Sequence, residues 1–193
     1  MGDRLIAGVD EAGRGPLAGP VVAAAVVLSQ SQKIALEAIG LNDSKKLTAK
    51  KREKIFHVML NIGVLWKAQA ASAKRIDTLN ILQASLWAMN RAVRKLPLVF
   101  EEVIVDGTFC IPGLETIVQE AIPKADATVP EVAAASIVAK VLRDRAMIAL
   151  DKIYPAYGFK KHKGYPTSAH RLVLAQIGPS PIHRRSFTWK DPS

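Results

Sequence analysis

Asp10 and Glu11 are adjacent carboxylates that close an apolar run, Leu5 to Val9, and lead at once into Ala12-Gly13-Arg14-Gly15-Pro16. An apolar run bounded by glycine reads as a buried central strand, and two neighbouring negative charges at its mouth repel unless a cation sits between them. A divalent metal is the economical cation. The glycines let the backbone approach a ligand closely, and Arg14 offers a planar fork of donors suited to phosphate. A second run, Val103-Ile104-Val105, ends in the same way at Asp106-Gly107, and Asp126 stands in a loop just before Pro130. Two-metal cleavage of a phosphodiester needs three or four carboxylates converging on cations about 3.5–4 Å apart, one activating water and the other stabilising the leaving oxygen. Asp10, Glu11, Asp106 and Asp126 are the candidates. Any one of them alone reads better as a solvated acid or a turn cap; Asp10-Glu11 with Asp106, at the ends of apolar strands, read together as a metal site.

The elements that must position these acids follow from the apolar pattern. Val21 to Leu28 reads as a second strand, antiparallel to the first across the glycine-rich turn. Thr48 caps a helix running to about Ile62 with Gly63 as its stop, and Val64 to Ala71 reads as a strand containing Trp66. Leu79, Leu82, Leu86, Met89 and Val93 recur at helical spacing, which predicts one helix from about Leu79 to Lys95 before Pro97. Val103 to Asp106 and Thr116 to Ile122 read as strands. Pro130 suits the first turn of a helix running through Glu131 to about Ile153, and Thr167 to Ile177 reads as a last helix stopped by Gly178-Pro179. The sum is an α/β fold, a mixed sheet flanked by helices with a short C-terminal helical segment, organised as one domain over residues 1–193. Ligands in such sheets favour strand ends.

Composition narrows the partner. Lys and Arg number 27 against 17 Asp and Glu, a formal net charge of +10, which points to a polyanion. The basic groups cluster, in Lys45-Lys46, Lys50-Lys51-Arg52, Lys160-Lys161-His162-Lys163 and His183-Arg184-Arg185. Metal acids beside basic patches suit a phosphodiester better than a small acidic metabolite. A single cysteine, Cys110, excludes an intramolecular disulfide and a Cys-rich metal cluster, reads as a small core hydrophobe, and fits a reducing cytoplasm. The longest uniformly apolar stretch, Val21 to Leu28, is far short of the ~20 residues that span a bilayer, and no targeting signal precedes the first strand, so a soluble protein without a membrane partner is expected.

Five segments then stand together: Asp10-Glu11-Ala12-Gly13-Arg14-Gly15-Pro16, Asn42-Asp43-Ser44-Lys45-Lys46-Leu47, Val105-Asp106-Gly107, Ala134-Ala135-Ser136-Ile137-Val138-Ala139-Lys140 with Arg143-Asp144, and His162-Lys163-Gly164-Tyr165-Pro166. In this order and spacing they resemble ribonuclease HII, the type 2 ribonuclease H family, over nearly the whole chain. The resemblance implies an endonuclease on the ribonuclease H fold, using Mg²⁺ or Mn²⁺. Such an enzyme hydrolyses RNA paired to DNA and nicks duplex DNA on the 5′ side of an embedded ribonucleotide. Asp10, Glu11, Asp106 and Asp126 match the family's catalytic, metal-binding acids. Gly13, Arg14 and Gly15 match the loop that inspects the ribose 2′-hydroxyl, Tyr165 the tyrosine that packs on the next, deoxy, sugar, and Lys45 with Lys46 a phosphate-holding segment. Two departures stand out: Lys124-Ala125-Asp126 replaces the Lys-Gly-Asp common in bacterial relatives, and the chain ends soon after Arg184-Arg185-Ser186-Phe187, where many relatives continue into further helices. A monomer is expected, and recruitment by a sliding clamp is left open.

Other residues admit plainer readings. His162, His170 and His183 could touch phosphate but read as exposed; Trp66 and Trp87 read as core, and Trp189 as cover for an apolar edge. Ser136, Lys140 and Arg143 lie at helical spacing and could present one polar face to substrate, although a solvated face explains the same spacing. Two other functions stay open on the residues alone: a related two-metal nuclease of the same fold acting on DNA, with no use for a 2′-hydroxyl reader, and a non-catalytic nucleic-acid-binding protein with structural acids. Chelation separates the last from a nuclease.

Overall fold

The computed structural model describes residues 5–97 and 100–188; Trp189 lies outside them. Strands β1 (Ile6–Ala12), β2 (Val21–Val27), β3 (Leu65–Ala71), β4 (Glu102–Asp106) and β5 (Val118–Ile122) form one mixed sheet in the order β3-β2-β1-β4-β5. β1 pairs antiparallel with β2 and β2 with β3, whereas β1–β4 and β4–β5 are parallel. β1 is therefore central, and its register sets Val9 beside Val105, so the chain leaves both parallel strands at the same edge of the sheet. The two acid-terminated runs meet there.

Alternation along the strands sends side chains to two faces. Ala7, Val9, Val21, Ala23, Ala25, Val103 and Val105 pack in one cluster with the buried residues of α4 (Ile81–Arg94). Ala24 and Val26 face the other way, against α2 (Ala49–Asn61) and α5 (Pro130–Ile153). α5 comes unusually close to β1, because a Cβ added at Gly8 would lie 2.3 Å from the Glu131 carbonyl carbon. Only glycine permits that approach. It brings the buried start of α5, with Ser136 on it, up against the strand that carries Asp10.

Three features differ from the sequence expectation. The helix anticipated from Leu79 to Lys95 is α4, which begins at Ile81; a separate short helix not anticipated, α3 (Ala73–Leu79), capped by Ser72, precedes it, with Asn80 at φ 67° between them accepting the Gln83 N–H at 3.0 Å. α1 (Gln30–Ala38) was not anticipated. Cys110 is exposed rather than part of the core. The C-terminal part adds α6 (Phe159–His162) and α7 (Ser168–Ile177), which packs on the residue 155–157 turn. Among the described residues, no helix is long and apolar enough to cross a membrane.

Candidate metal and nucleic-acid site

Asp10, Asp106 and Asp126 each present one carboxylate oxygen such that the three atoms lie within 4.8 Å of one another. Three elements deliver them. Asp10 is the fifth residue of β1, Asp106 is the last of β4, and Asp126 lies on a 3-10 turn, Ala125–Ala127. The turn is tied to the strand, since the Ala125 N–H donates to Asp106 Oδ1 at 2.9 Å. Ala125 itself adopts an ordinary helical turn; the left-handed residue is Lys124, at φ 63°. Alanine in place of the common glycine therefore leaves Asp126 aimed at its partners.

Glu11 follows Asp10 along β1 and so points to the opposite face, where Arg14 Nη1 stands 3.5 Å from its Oε1. It is not one of the three converging acids, although Asp106 and Lys45 both act on its charge. Burial raises the Asp10 carboxyl well above its ordinary range, with Glu11 and Asp106 adding repulsion. Burial likewise raises Glu11, against the pull of Arg14, and raises Asp126, where Asp106 adds to the shift and Lys45 opposes it. Asp10 and Asp126 are each only 3% exposed, and Asp126 Oδ2 has no hydrogen-bond partner, Lys45 Nζ being 3.6 Å away. Hard carboxylate oxygens converging at this spacing, with negative charge that Arg14 and Lys45 offset only in part, suit a divalent cation.

Lys45 is held by the turn Ser44–Lys46, whose cap Asp43 accepts the Lys45 N–H at 2.8 Å. Burial works against its ammonium, but Asp126, Asp10, Asp43 and Asp106 together outweigh it and raise its pKa. Its side chain stays 76% exposed, so it faces both the acids and solvent; Lys46 beside it is exposed too. Ser44 Oγ lies 2.7 Å from Ser136 Oγ, and Ser136 hydrogen-bonds Asp10. Ser136 thus props an acid from below.

Gly13, Arg14 and Gly15 open the β1–β2 connection, and Tyr165, distant in sequence, lies beside them. A Cβ on Gly15 would sit 3.9 Å from Tyr165 Cε1, and Tyr165 is 40% exposed over Lys140 and Arg143, whose charged groups lie 5.9 and 5.7 Å from its ring centre. Gly13 is buried at φ 101°, with Arg143 Nε 1.9 Å from where a Cβ would be; no other residue fits there.

Ser136, Lys140 and Arg143, which their spacing allowed on one substrate-facing or solvated face, do not share such a face. Ser136 lies beneath Asp10, Lys140 pairs with Asp144 at 2.8 Å, and Arg143 is fully buried, donating to the Pro20, Ala18 and Lys163 carbonyls. His170 and His183 are not exposed either: their Nε2 atoms are 3.0 Å apart inside a cluster with Phe159, and His162 stacks on His170. His183 Nδ1 accepts the Ser180 N–H and His170 Nδ1 donates to the Tyr165 carbonyl, an arrangement that requires both rings neutral. Trp66 and Trp87 are half-buried against the two cores. Arg184, which the sequence offered only as part of a basic cluster, is buried beneath the Gly13–Gly15 loop.

A family profile described as Ribonuclease HII matches residues 7–190. The ribonuclease HII of Dechloromonas aromatica is 50% identical over 183 residues, covering 95% of this chain and 90% of that protein. The ribonuclease H2 crystal structure from Pyrococcus horikoshii superposes with a TM-score of 0.79 at 31% identity, covering 95% of this chain and 93% of that one. The ribonuclease HII of Archaeoglobus fulgidus, solved in complex with PCNA, superposes at 0.77 with 28% identity, covering 98% of each chain.

Proposed function

This chain belongs to the ribonuclease HII family, metal-dependent endoribonucleases with ribonuclease H activity, and from that premise we propose which bond it cuts and with which residues. The substrates are RNA/DNA hybrids and duplex DNA carrying an embedded ribonucleotide, nicked on its 5′ side. The observation that carries the reading is the convergence of Asp10, Asp106 and Asp126 beside an exposed Gly15–Tyr165 surface.

Asp10, Asp106 and Asp126, with Glu11 at the margin, would hold divalent cations, Mg²⁺ or Mn²⁺, and Asp126 Oδ2, buried without a hydrogen bond and with only the exposed Lys45 ammonium 3.6 Å away, would be a ligand atom for one. Two such ions would activate water and stabilise the leaving 3′-oxygen. Lys45 and Lys46, exposed next to the acids, hold phosphate. The Gly13–Gly15 backbone meets the ribose 2′-hydroxyl, the group that separates RNA from DNA. Tyr165 packs on the next, deoxy, sugar. Arg14, 51% exposed and paired to Glu11 at 3.5 Å, is free to turn to a phosphate. We place the enzyme in the cytoplasm as a monomer of one domain. A sliding clamp is a candidate partner, supported by the clamp complex of the Archaeoglobus relative.

Cleavage mapping tests the reading on one labelled DNA duplex carrying a single ribonucleotide, beside an all-DNA control and an RNA/DNA hybrid. A nick 5′ of the ribonucleotide, hydrolysis of the hybrid and an intact control are expected. Equal cutting of the all-DNA duplex contradicts the ribose-reading role and favours the DNA nuclease alternative.

A further inference from the structure

Arg184 is fully buried, and its guanidinium donates in three directions: Nε to the Gly19 carbonyl at 3.0 Å, Nη1 to the Arg14 carbonyl at 2.7 Å and Nη2 to the Gly13 carbonyl at 2.6 Å. Its own N–H bonds the Leu17 carbonyl at 2.8 Å, and its guanidinium lies 5.0 Å from the Phe187 ring centre. The side chain therefore has one fixed place, reached from the far end of the sequence. All three acceptors are main-chain carbonyls, so a costly buried charge is spent on the shape of a loop.

Two of those carbonyls belong to the peptide groups Gly13–Arg14 and Arg14–Gly15. In a trans peptide the C=O and N–H point in opposite directions. With both carbonyls drawn inward to Arg184, the Arg14 and Gly15 N–H groups are turned outward. Both residues are exposed, and neither N–H has an acceptor among the described residues. A cation on the carbonyl side also polarises each peptide group, which strengthens the N–H on the other side. The result is a pair of strengthened donors on the exposed loop that follows Glu11, with Tyr165 beside Gly15.

We infer that Arg184 is a positioning residue for ribonucleotide recognition, setting the outward aim of the Arg14 and Gly15 amides from inside the protein so that they meet a ribose hydroxyl oxygen. The inference rests on the proposed reading of the 2′-hydroxyl and adds the residue that makes it possible. Lysine cannot replace it, because a single ammonium does not span three carbonyls in the geometry of a fork.

The test is binding, in Mg²⁺, of a duplex with one ribonucleotide and of the same duplex in DNA, measured for Asp10→Asn, which leaves the substrate uncut, and for Asp10→Asn combined with Arg184→Lys or Arg184→Gln. The Asp10→Asn protein is expected to prefer the ribonucleotide duplex. Each Arg184 variant should bind the all-DNA duplex as before and lose about tenfold of that preference, the scale of one hydrogen bond. Equal weakening on both duplexes means Arg184 only supports the fold, and an undiminished preference means the amides are set without it; either overturns the inference while leaving the proposed function standing. No preference in Asp10→Asn itself overturns the proposed reading and the inference with it. A second measurement needs no change at Arg184: in the Asp10→Asn protein, the Arg14 and Gly15 amide resonances should move on adding the ribonucleotide duplex and stay in place with the all-DNA one. Resonances that respond alike to both also overturn it.

Discussion

Two groups of buried charge lie within a few residues of each other and are treated in opposite ways. At the edge of β1 and β4, carboxylates converge with their repulsion only partly offset by the exposed Lys45, and one oxygen of Asp126 has no hydrogen bond. Beneath the Gly13–Gly15 loop, Arg184 satisfies its donors with three carbonyls and Arg143 gives Nε and Nη2 to three more. The first arrangement is complete only with a ligand, and in the second every nitrogen of Arg184 donates as folded, Arg143 leaving only Nη1 without a partner. Unsatisfied burial marks where chemistry is expected, and satisfied burial marks what holds the chemistry in place. The difference should appear in which property each mutation damages.

The largest effect is expected from Asp10→Asn or Asp106→Asn. Each removes a proposed metal ligand and should lower turnover by about 10³-fold or more, several kcal/mol of transition-state stabilisation, while the melting temperature holds or rises because a repelled buried charge has gone. Single-turnover rates and thermal unfolding on the same protein check this; a large fall in stability would move these acids into the structural group. Gly13→Ala should do the reverse of the aspartate changes. The new Cβ meets Arg143 Nε at 1.9 Å with the backbone at φ 101°, a cost of about 2–5 kcal/mol visible in denaturant unfolding. Gly15→Ala, with only Tyr165 at 3.9 Å, should leave stability unchanged and affect cleavage alone.

Acid should weaken the satisfied region. Burial, with His170 beside it, lowers His183 from 6.5 to about 4. The unfolded chain thus takes up this proton before the folded one, so stability falls as pH drops from 6.5 towards 4 and loses nothing more from this group below that. The raised Asp10 carboxyl works in the opposite sense, so the comparison is between wild type and His183→Gln across that window. The variant should show a shallower decline, and parallel curves would remove His183 from the account. The smallest effect concerns Lys45→Ala. Because the side chain is largely exposed, stability should not change, but the slope of log affinity for duplex against log salt should flatten by roughly one charge. An unaltered slope would mean Lys45 serves the acids and not the phosphate.

Asp10 and Asp106 were legible in the sequence because each closes a run whose apolar character marks a buried strand, Asp126 only as a loop acid ahead of a helix and by the family resemblance, and Gly13 and Gly15 because glycine is conspicuous. Gly8 belonged to the same strand but showed its purpose only when α5 lay on it. The α1 helix was missed although Ser29 and Gln32 form a capping box, a local signal obscured by the polar run Ser29-Gln30-Ser31-Gln32. Arg184, His170 and His183 were read as surface groups for a different reason. Their partners are main-chain atoms and one another across the fold, and nothing local distinguishes a basic residue that bonds a distant carbonyl from one that bonds water. Arg143 was misread on the same ground, its helical spacing being equally compatible with facing solvent.

The central claim is that Asp10, Asp106 and Asp126 form a site completed by a divalent cation. Thermal unfolding against increasing Mn²⁺, and separately Mg²⁺, tests it most directly, with wild type beside Asp106→Asn. A ligand that binds only the folded state raises stability as RT ln(1 + [L]/Kd). The wild-type melting temperature should therefore climb with metal while that of Asp106→Asn stays nearly flat, whereas equal rises in the two proteins, or none in the wild type, would contradict the claim.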